Sequence, residues 1–264
     1  MRTLGFIGTG NMGGALAKAA SACAEARLLL ANRHPAKAAV LATQTGGQLT
    51  DNLTAAAEAD YLFLGVKPHM LPDLLSELAP TLAGRTDRFV LVSMAAGTSI
   101  ERVRELAGGD YPVIRIMPNT PAAIGEGMIL YSAGPGVSEE ELAEFLSLMA
   151  GAGRFAQLEE RLIDAGSAVS GCGPAFVDLF VEALADGGVA CGLPRPQALE
   201  MAAQMCVGAA RLILESGEHP GVLKDAVCSP GGTTIQGVRA LENAGFRGAV
   251  MEAVIAAYEK NKEL

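Results

Sequence analysis

From residue 3 to about 157 short apolar runs alternate with longer amphipathic ones. The runs at 4–8, 28–32, 61–66, 89–94, 113–117 and 128–131 have the length of strands, and those at 11–24, 35–43, 72–82 and 139–150 have the length and polar face of helices. Apolarity alone does not separate a buried strand from a buried helix, so length decides. This alternation predicts βα units assembled on a mostly parallel sheet.

After about residue 160 the β-branched clusters thin out, and Ala-, Leu-, Met- and Glu-rich segments of high helix propensity take over. Pro174 and Pro196 stand where helices begin, because a proline in the first turn loses no needed hydrogen bond. With a break at Gly192-Leu193-Pro194, two long helices are predicted near 174–190 and 196–216. The first is apolar around most of its circumference, through Phe176, Val177, Leu179, Phe180, Val181, Leu184 and Val189, and one neighbouring helix would not cover it. A subunit interface is expected there, with a central helix of a monomeric bundle as the alternative. The expected fold class is α/β: a Rossmann-type, mostly parallel sheet over residues 1–158 and an all-helical dimerisation domain over 159–264.

Composition narrows the function. With 264 residues, half of them hydrophobic, the chain can bury substantial cores. A net charge of −9 with 20 basic residues argues against a nucleic-acid surface, which needs clustered Lys and Arg. Cys23, Cys172, Cys191, Cys206 and Cys228 are scattered, with no C-x-x-C pair and no metal-ligand spacing to His34, His69 or His219. They read as reduced thiols of a cytoplasmic protein that holds no metal. Met1-Arg2-Thr3 leads directly into the first apolar run, unlike a secretory signal. The apolar region at 179–190 is interrupted by Glu182 and Asp186, so no membrane span is expected.

Gly8-Thr9-Gly10-Asn11-Met12-Gly13 fits G-x-G-x-x-G directly after the strand that ends in Phe6-Ile7 and at the opening of a helix. In that context the first glycine permits a tight turn, the second lets a pyrophosphate approach the backbone, and the third lets helix and strand pack closely. The helix end adds free N–H donors and positive dipole. Where an NAD site would place an acid on the ribose, this chain has Asn32-Arg33-His34. An amide and a guanidinium suit a 2′-phosphate, so NADPH is expected in preference to NADH. Asn52 is a candidate for the adenosine ribose, or half of an Asp-Asn helix cap. Val66-Lys67-Pro68, Ala95-Ala96 and Asn119 lie at strand ends, where ligands of open α/β sheets bind. Lys67 is weighed as a proton donor against a cofactor-side or structural role. Asn119 is a candidate for the nicotinamide or substrate, and Arg115, inside its strand, reads as a structural partner.

Two glycine-rich passages precede helices in the second half, Ser170-Gly171-Cys172-Gly173-Pro174 and Ser229-Pro230-Gly231-Gly232-Thr233-Thr234-Ile235. Each would present backbone N–H groups at a positive helix end, suited to a carboxylate. Ordinary capped helix starts are the alternative.

The ordered set resembles the pyrroline-5-carboxylate reductase family over nearly the whole chain. The resemblance rests on the run from Gly5 through Met12, Val66-Lys67-Pro68, Ala95-Ala96-Gly97-Thr98, the run from Arg115 through Pro121, both glycine-rich loops, Ala185-Asp186-Gly187-Gly188-Val189 and Gly192-Leu193-Pro194. Cys172 departs from it, since serine often stands between those glycines, and a hydroxyl role there is put in doubt. The resemblance implies reduction of the cyclic imine L-1-pyrroline-5-carboxylate to L-proline, NADPH-dependent and sometimes NADH-dependent. It also implies a homodimer with interlocking helical halves, joined into rings of dimers in many members. By that resemblance the substrate carboxylate meets the N–H groups of Gly232, Thr233 and Thr234 in the turn with Ser229 and Gly231. The Thr234 hydroxyl comes near the ring nitrogen and Ser170 shapes the pocket. Ile7, Gly8, Thr9, Gly10, Asn11 and Met12 then form the cofactor turn. A histidine acid is not required, because a cyclic imine can arrive protonated. Two other classes remain: a β-hydroxyacid-type dehydrogenase using Lys224, and a non-catalytic NADPH-binding regulator.

Overall fold

The computed structural model describes residues 1–262. The chain forms two compact units, Met1–Cys172 with the residues from Ala257 onward, and Gly173–Ala256.

In the first unit the side-chain alternation of each strand feeds two cores. Strand β1 (Arg2–Ile7) sends Leu4 and Phe6 to one face and Ile7 to the other; β2 (Ala26–Ala31) splits Leu28 and Leu30 from Leu29 and Ala31. Strands β4 (Tyr61–Leu64), β5 (Val90–Ser93) and β6 (Val113–Met117) repeat the division. Because both faces are covered, these strands read as continuous apolar runs rather than alternating ones. Helices α1 (Asn11–Ser21), α2 (Pro35–Thr45) and α6 (Glu139–Leu148) cover the first face, where Phe6 stacks on Phe63 with centroids 4.2 Å apart. Helices α3 (Asn52–Glu58), α4 (Leu71–Ala83) and α5 (Ile100–Ala107) cover the second.

With β3 (Gln48–Leu49), β7 (Gly127–Ala133) and β8 (Gly153–Gln157), the sheet has, among the described residues, eight strands in the order β3-β2-β1-β4-β5-β6-β7-β8. All neighbours are parallel except β6 and β7. The mostly parallel sheet expected from the sequence is present. Two of its strands were not expected: β3, two residues long, and β8, which sits at the other edge, partly exposed. Neither carries a buried apolar run, which is the signal that revealed the rest. The strand expected at 128–131 is also longer by one residue before and two after.

The end of the sheet at which β1 and β4 begin is pinned by polar contacts. Tyr61 donates its hydroxyl to the Glu141 carbonyl at 2.8 Å and to Glu144 Oε2 at 3.0 Å, and burial raises its pKa above the ordinary phenol value. Arg88 Nε pairs with Glu141 Oε1 at 2.6 Å, and Glu141 closes a capping box with Ser138 at the start of α6. The Arg88 hydrogen bond, backed by the donors of Ser138, lowers the Glu141 pKa to about 2.

The helix α7 (Ile163–Ser170) ends the first unit before Gly171 and Cys172. In the second unit, α8 (Gly173–Ala190) and α9 (Arg195–Ser216) form a hairpin. Gly192 takes φ of 100° in its turn, and Pro174 and Pro196 lie within the first turns as expected. Of α8 only Ala185 is fully buried, and Val177, Leu179 and Leu184 stay exposed on the single chain. The helical run Glu160–Ala190 is long and apolar enough, with mean hydropathy 1.4, to match a membrane span by composition, although the sequence reading expected none. The helices α10 (Pro220–Ala226), α11 (Thr233–Asn243) and α12 (Phe246–Asn261) follow.

Candidate active site

A cleft of about 470 Å³ opens at the carboxyl ends of β1, β2 and β4. There the strand order runs outward to β3 on one side of β1 and onward to β4 on the other, the place where open α/β sheets bind ligands. Ile7, Gly8, Gly10, Asn32, Arg33, Asn52, Val66 and Lys67 all line it. These residues come from four separate segments of the chain.

The three glycines of the first turn meet different surroundings. Gly8 has φ of 94°, and a Cβ there would lie 2.5 Å from the Gly65 carbonyl oxygen. A Cβ on Gly13 would come within 2.2 Å of the Gly8 carbonyl oxygen. A Cβ on Gly10 meets nothing within 4 Å, so its face opens on the cleft where a ligand would approach the backbone. Gly10 caps α1 without a side chain, and no acid stands in the first turn. The first N–H groups of α1 therefore have no side-chain acceptor from the cap. These features fit a dinucleotide pyrophosphate.

At the end of β2, Asn32 Nδ2 donates to Thr9 Oγ1 at 2.9 Å, while its Oδ1 accepts the His34 backbone N–H at 3.2 Å. The Asn32 amide thus braces the glycine turn against the loop before α2. Arg33 is exposed at the cleft rim. Lys37, not singled out from the sequence, lines this cleft and a neighbouring one of about 350 Å³ beside Thr9, Asn11 and Lys18. Its place in the first turn of α2, four residues past Arg33, was the available signal. Asp73 and Glu77 on α4 were also missed; Asn52 Nδ2 lies 3.4 Å from each Glu77 carboxylate oxygen, and Asp51 rather than Asn52 caps α3.

Further along the sheet, Lys67 is exposed and its carbonyl accepts the Met70 N–H, opening a turn at Pro68–Met70. Ala95 is buried, and Ala96 packs against the cluster of Met117, Leu130 and Ile163. Asn119 is 7% exposed, donates Nδ2 to the Ser170 carbonyl at 3.0 Å and accepts the Met128 N–H at 2.9 Å. The Ser170 hydroxyl donates to the Gly166 carbonyl at 3.1 Å.

In the second unit the turn before α11 is tight: the Gly232 N–H donates to the Ser229 carbonyl at 3.0 Å, and a Cβ on Gly232 would lie 2.4 Å from Ser229 Oγ. Gly231 has φ of 69°. Gly232 caps α11 without a side chain, so Thr233 and Thr234 open a helix whose first N–H groups have no internal acceptor from the cap. Lys224 pairs with Asp225 at 2.7 Å, and that hydrogen bond raises its pKa, contrary to what a lysine acid needs near neutrality.

Residues 160–264 match the family profile described as pyrroline-5-carboxylate reductase dimerisation, and residues 3–97 match one described as NADP oxidoreductase, coenzyme F420-dependent. A pyrroline-5-carboxylate reductase of Glycine max is 43% identical over 99% of this chain and 96% of its own length. The chain belongs to the pyrroline-5-carboxylate reductase family. An Escherichia coli (strain K12) member is 40% identical over 100% of this chain and 98% of its own. The crystal structure of a Plasmodium falciparum pyrroline carboxylate reductase, with NADP bound, superposes with a TM-score of 0.87 at 32% identity, over 99% of this chain and 97% of that one. Membership agrees with the resemblance carried by the two glycine-rich loops and the Arg115 to Pro121 run, and with a nicotinamide cofactor for the first unit.

Proposed function

We propose that the protein reduces L-1-pyrroline-5-carboxylate to L-proline, the last step of proline biosynthesis, using NADPH in preference to NADH, as a cytoplasmic homodimer. One observation supports this reading most: the chain has two glycine-built helix starts able to receive anions, before α1 and before α11. A dinucleotide pyrophosphate and a small carboxylate need two such places.

In this reading residues 1–158 are the dinucleotide-binding domain and 159–264 the helical dimerisation and substrate-binding domain. The N–H groups after Gly10 hold the pyrophosphate, Arg33 meets the 2′-phosphate with Asn32 setting its loop, and Asn52 meets the adenosine ribose. Val66, Lys67, Pro68, Ala95, Ala96 and Asn119 form the nicotinamide side, Asn119 by holding the backbone around it. The N–H groups of Gly232, Thr233 and Thr234 hold the substrate carboxylate. When bound, the cofactor supplies the hydride. The protein's own work is positioning and exclusion of water. The Thr234 hydroxyl orients the ring nitrogen, and Ser170 helps shape the pocket. An imine that arrives protonated needs no strong acid from the chain.

The exposed Val177 and Leu179 of α8 and Met201 and Leu212 of α9 are the apolar surface a second copy would cover. The test is oxidation of NADPH and of NADH in the presence of pyrroline-5-carboxylate, with proline identified as product. Turnover with both cofactors, faster with NADPH at low concentration, is expected; absence of proline would overturn the assignment.

A further inference from the structure

Arg115, in the middle of β6, has a side chain only 4% exposed. One guanidinium nitrogen donates to Asp164 Oδ1, in the first turn of α7, at 2.6 Å. Another lies 3.6 Å from Glu160 Oε1. That same oxygen accepts the Ile100 backbone N–H at 2.6 Å, at the start of α5 and directly after the Ala95 to Ser99 loop. Asn119, just past the end of the same strand, holds the carbonyl of Ser170, the last residue of α7. One strand therefore grips α7 at both ends. Between the grips, Ile163 packs with Met117 and Leu130, and Ala96 rests on that cluster. The Gly171 and Cys172 N–H groups both return to the Ser167 carbonyl, at 2.8 and 3.0 Å, so the segment that leaves α7 inherits its position.

A buried arginine paired with carboxylates is a poor way to add stability, since desolvation offsets much of the attraction, and Arg115 also leaves Nε without a hydrogen-bond partner. What its planar fork does supply is fixed direction toward two carboxylates at once. We infer that Arg115 is a positioning residue for the proposed imine reduction. Through Asp164 and Glu160 it ties the Ser170 to Cys172 segment and the Ala95-Ala96 loop to a single strand, so that the two segments keep one spacing. The inference rests on the functional reading above only for its catalytic consequence. The clamp itself is a property of the fold.

The test compares wild type with Arg115→Met, Arg115→Lys and Asp164→Asn, by hydrogen exchange and by steady-state kinetics with pyrroline-5-carboxylate. In Arg115→Met, exchange over 95–102 and 163–172 is expected to rise about tenfold while β2 stays protected. Misplacement of this kind is expected to lower kcat by about 10²-fold with cofactor KM held within about twofold. The isotope effect from deuterated cofactor should rise as the hydride step becomes limiting. Arg115→Lys keeps the charge without the fork and should recover part of kcat, to about tenfold below wild type. Asp164 is partly exposed, so Asp164→Asn carries the same test should Arg115→Met not fold. Unchanged exchange and kcat overturn the clamp; so does a loss of protection across the whole sheet with cofactor affinity falling in step with kcat. A wild type that makes no proline refutes the functional reading instead, and the exchange measurement still decides the clamp.

Discussion

Asn32 and Thr9 meet across the ends of β2 and β1, with Asn32 Nδ2 donating to Thr9 Oγ1 at 2.9 Å. The amide that stands where an acid would select NADH is thereby also a brace for the glycine turn. In Asn32→Asp the Thr9 hydroxyl can donate to the new carboxylate, so the brace survives while a negative charge enters. NADPH kcat/KM should fall at least about tenfold and NADH by less than about threefold. Equal losses with both cofactors would show that the position acts only through the brace.

Arg33 is exposed at the rim and adds a charge-assisted contact of about 1.5–3 kcal/mol if it meets a phosphate. Arg33→Ala should therefore raise the NADPH KM about tenfold or more and leave that for NADH nearly unchanged. Parallel changes in both would remove Arg33 from phosphate recognition, leaving Lys37 as the cation to test.

Thr234 follows the capping glycine of α11, with its hydroxyl as the proposed contact to the ring nitrogen. Thr234→Ala should lower kcat by about 10²-fold, the scale of removing one donor from a reacting centre. Cofactor affinity, followed by fluorescence titration, should be unaltered. Full turnover in this variant would take the hydroxyl out of the mechanism.

Glu141 gives the pH dependence of stability a definite sign. Its pKa is depressed to about 2 in the fold, chiefly by Arg88, from the ordinary value of 4.5. Its contribution is therefore complete above the unfolded value and is lost as pH falls from about 5 toward 2. Glu141→Gln should be less stable than wild type at pH 7, by an amount on the order of 2 kcal/mol, and the two should converge toward pH 2. Urea midpoints taken across that range measure this, and a constant gap at all pH would show that the pair contributes packing rather than charge.

Several long-range contacts were not legible in the sequence for a common reason. Arg115 read as a structural partner, and which carboxylates it meets was hidden: they lie 45 and 49 residues further on, after two strands and a helix whose placement decides the meeting. Asp73 and Glu77 sit four apart on one face of α4, which is visible in the sequence. That the face turns toward the cleft at the ends of β1, β2 and β4 is not. The strand β8 carried too little buried apolar surface to register, being half solvent-facing at the sheet edge.

What the amino-acid order determined by itself was local: two-faced strands, helix starts at prolines, and glycines where turns need them. Gly13 belongs to this class, because its missing Cβ spares the Gly8 carbonyl five residues back, whereas the missing Cβ of Gly8 also makes room for Gly65 beyond the neighbouring strand. The tertiary structure decided the long-range pairings. It committed the Asn32 amide to Thr9, brought Lys37, Asp73 and Glu77 to the cleft, and joined α5 and α7 through Arg115. Such choices depend on which distant groups the packed sheet brings within about 3 Å of each other, a geometry set by the whole fold rather than by any one segment.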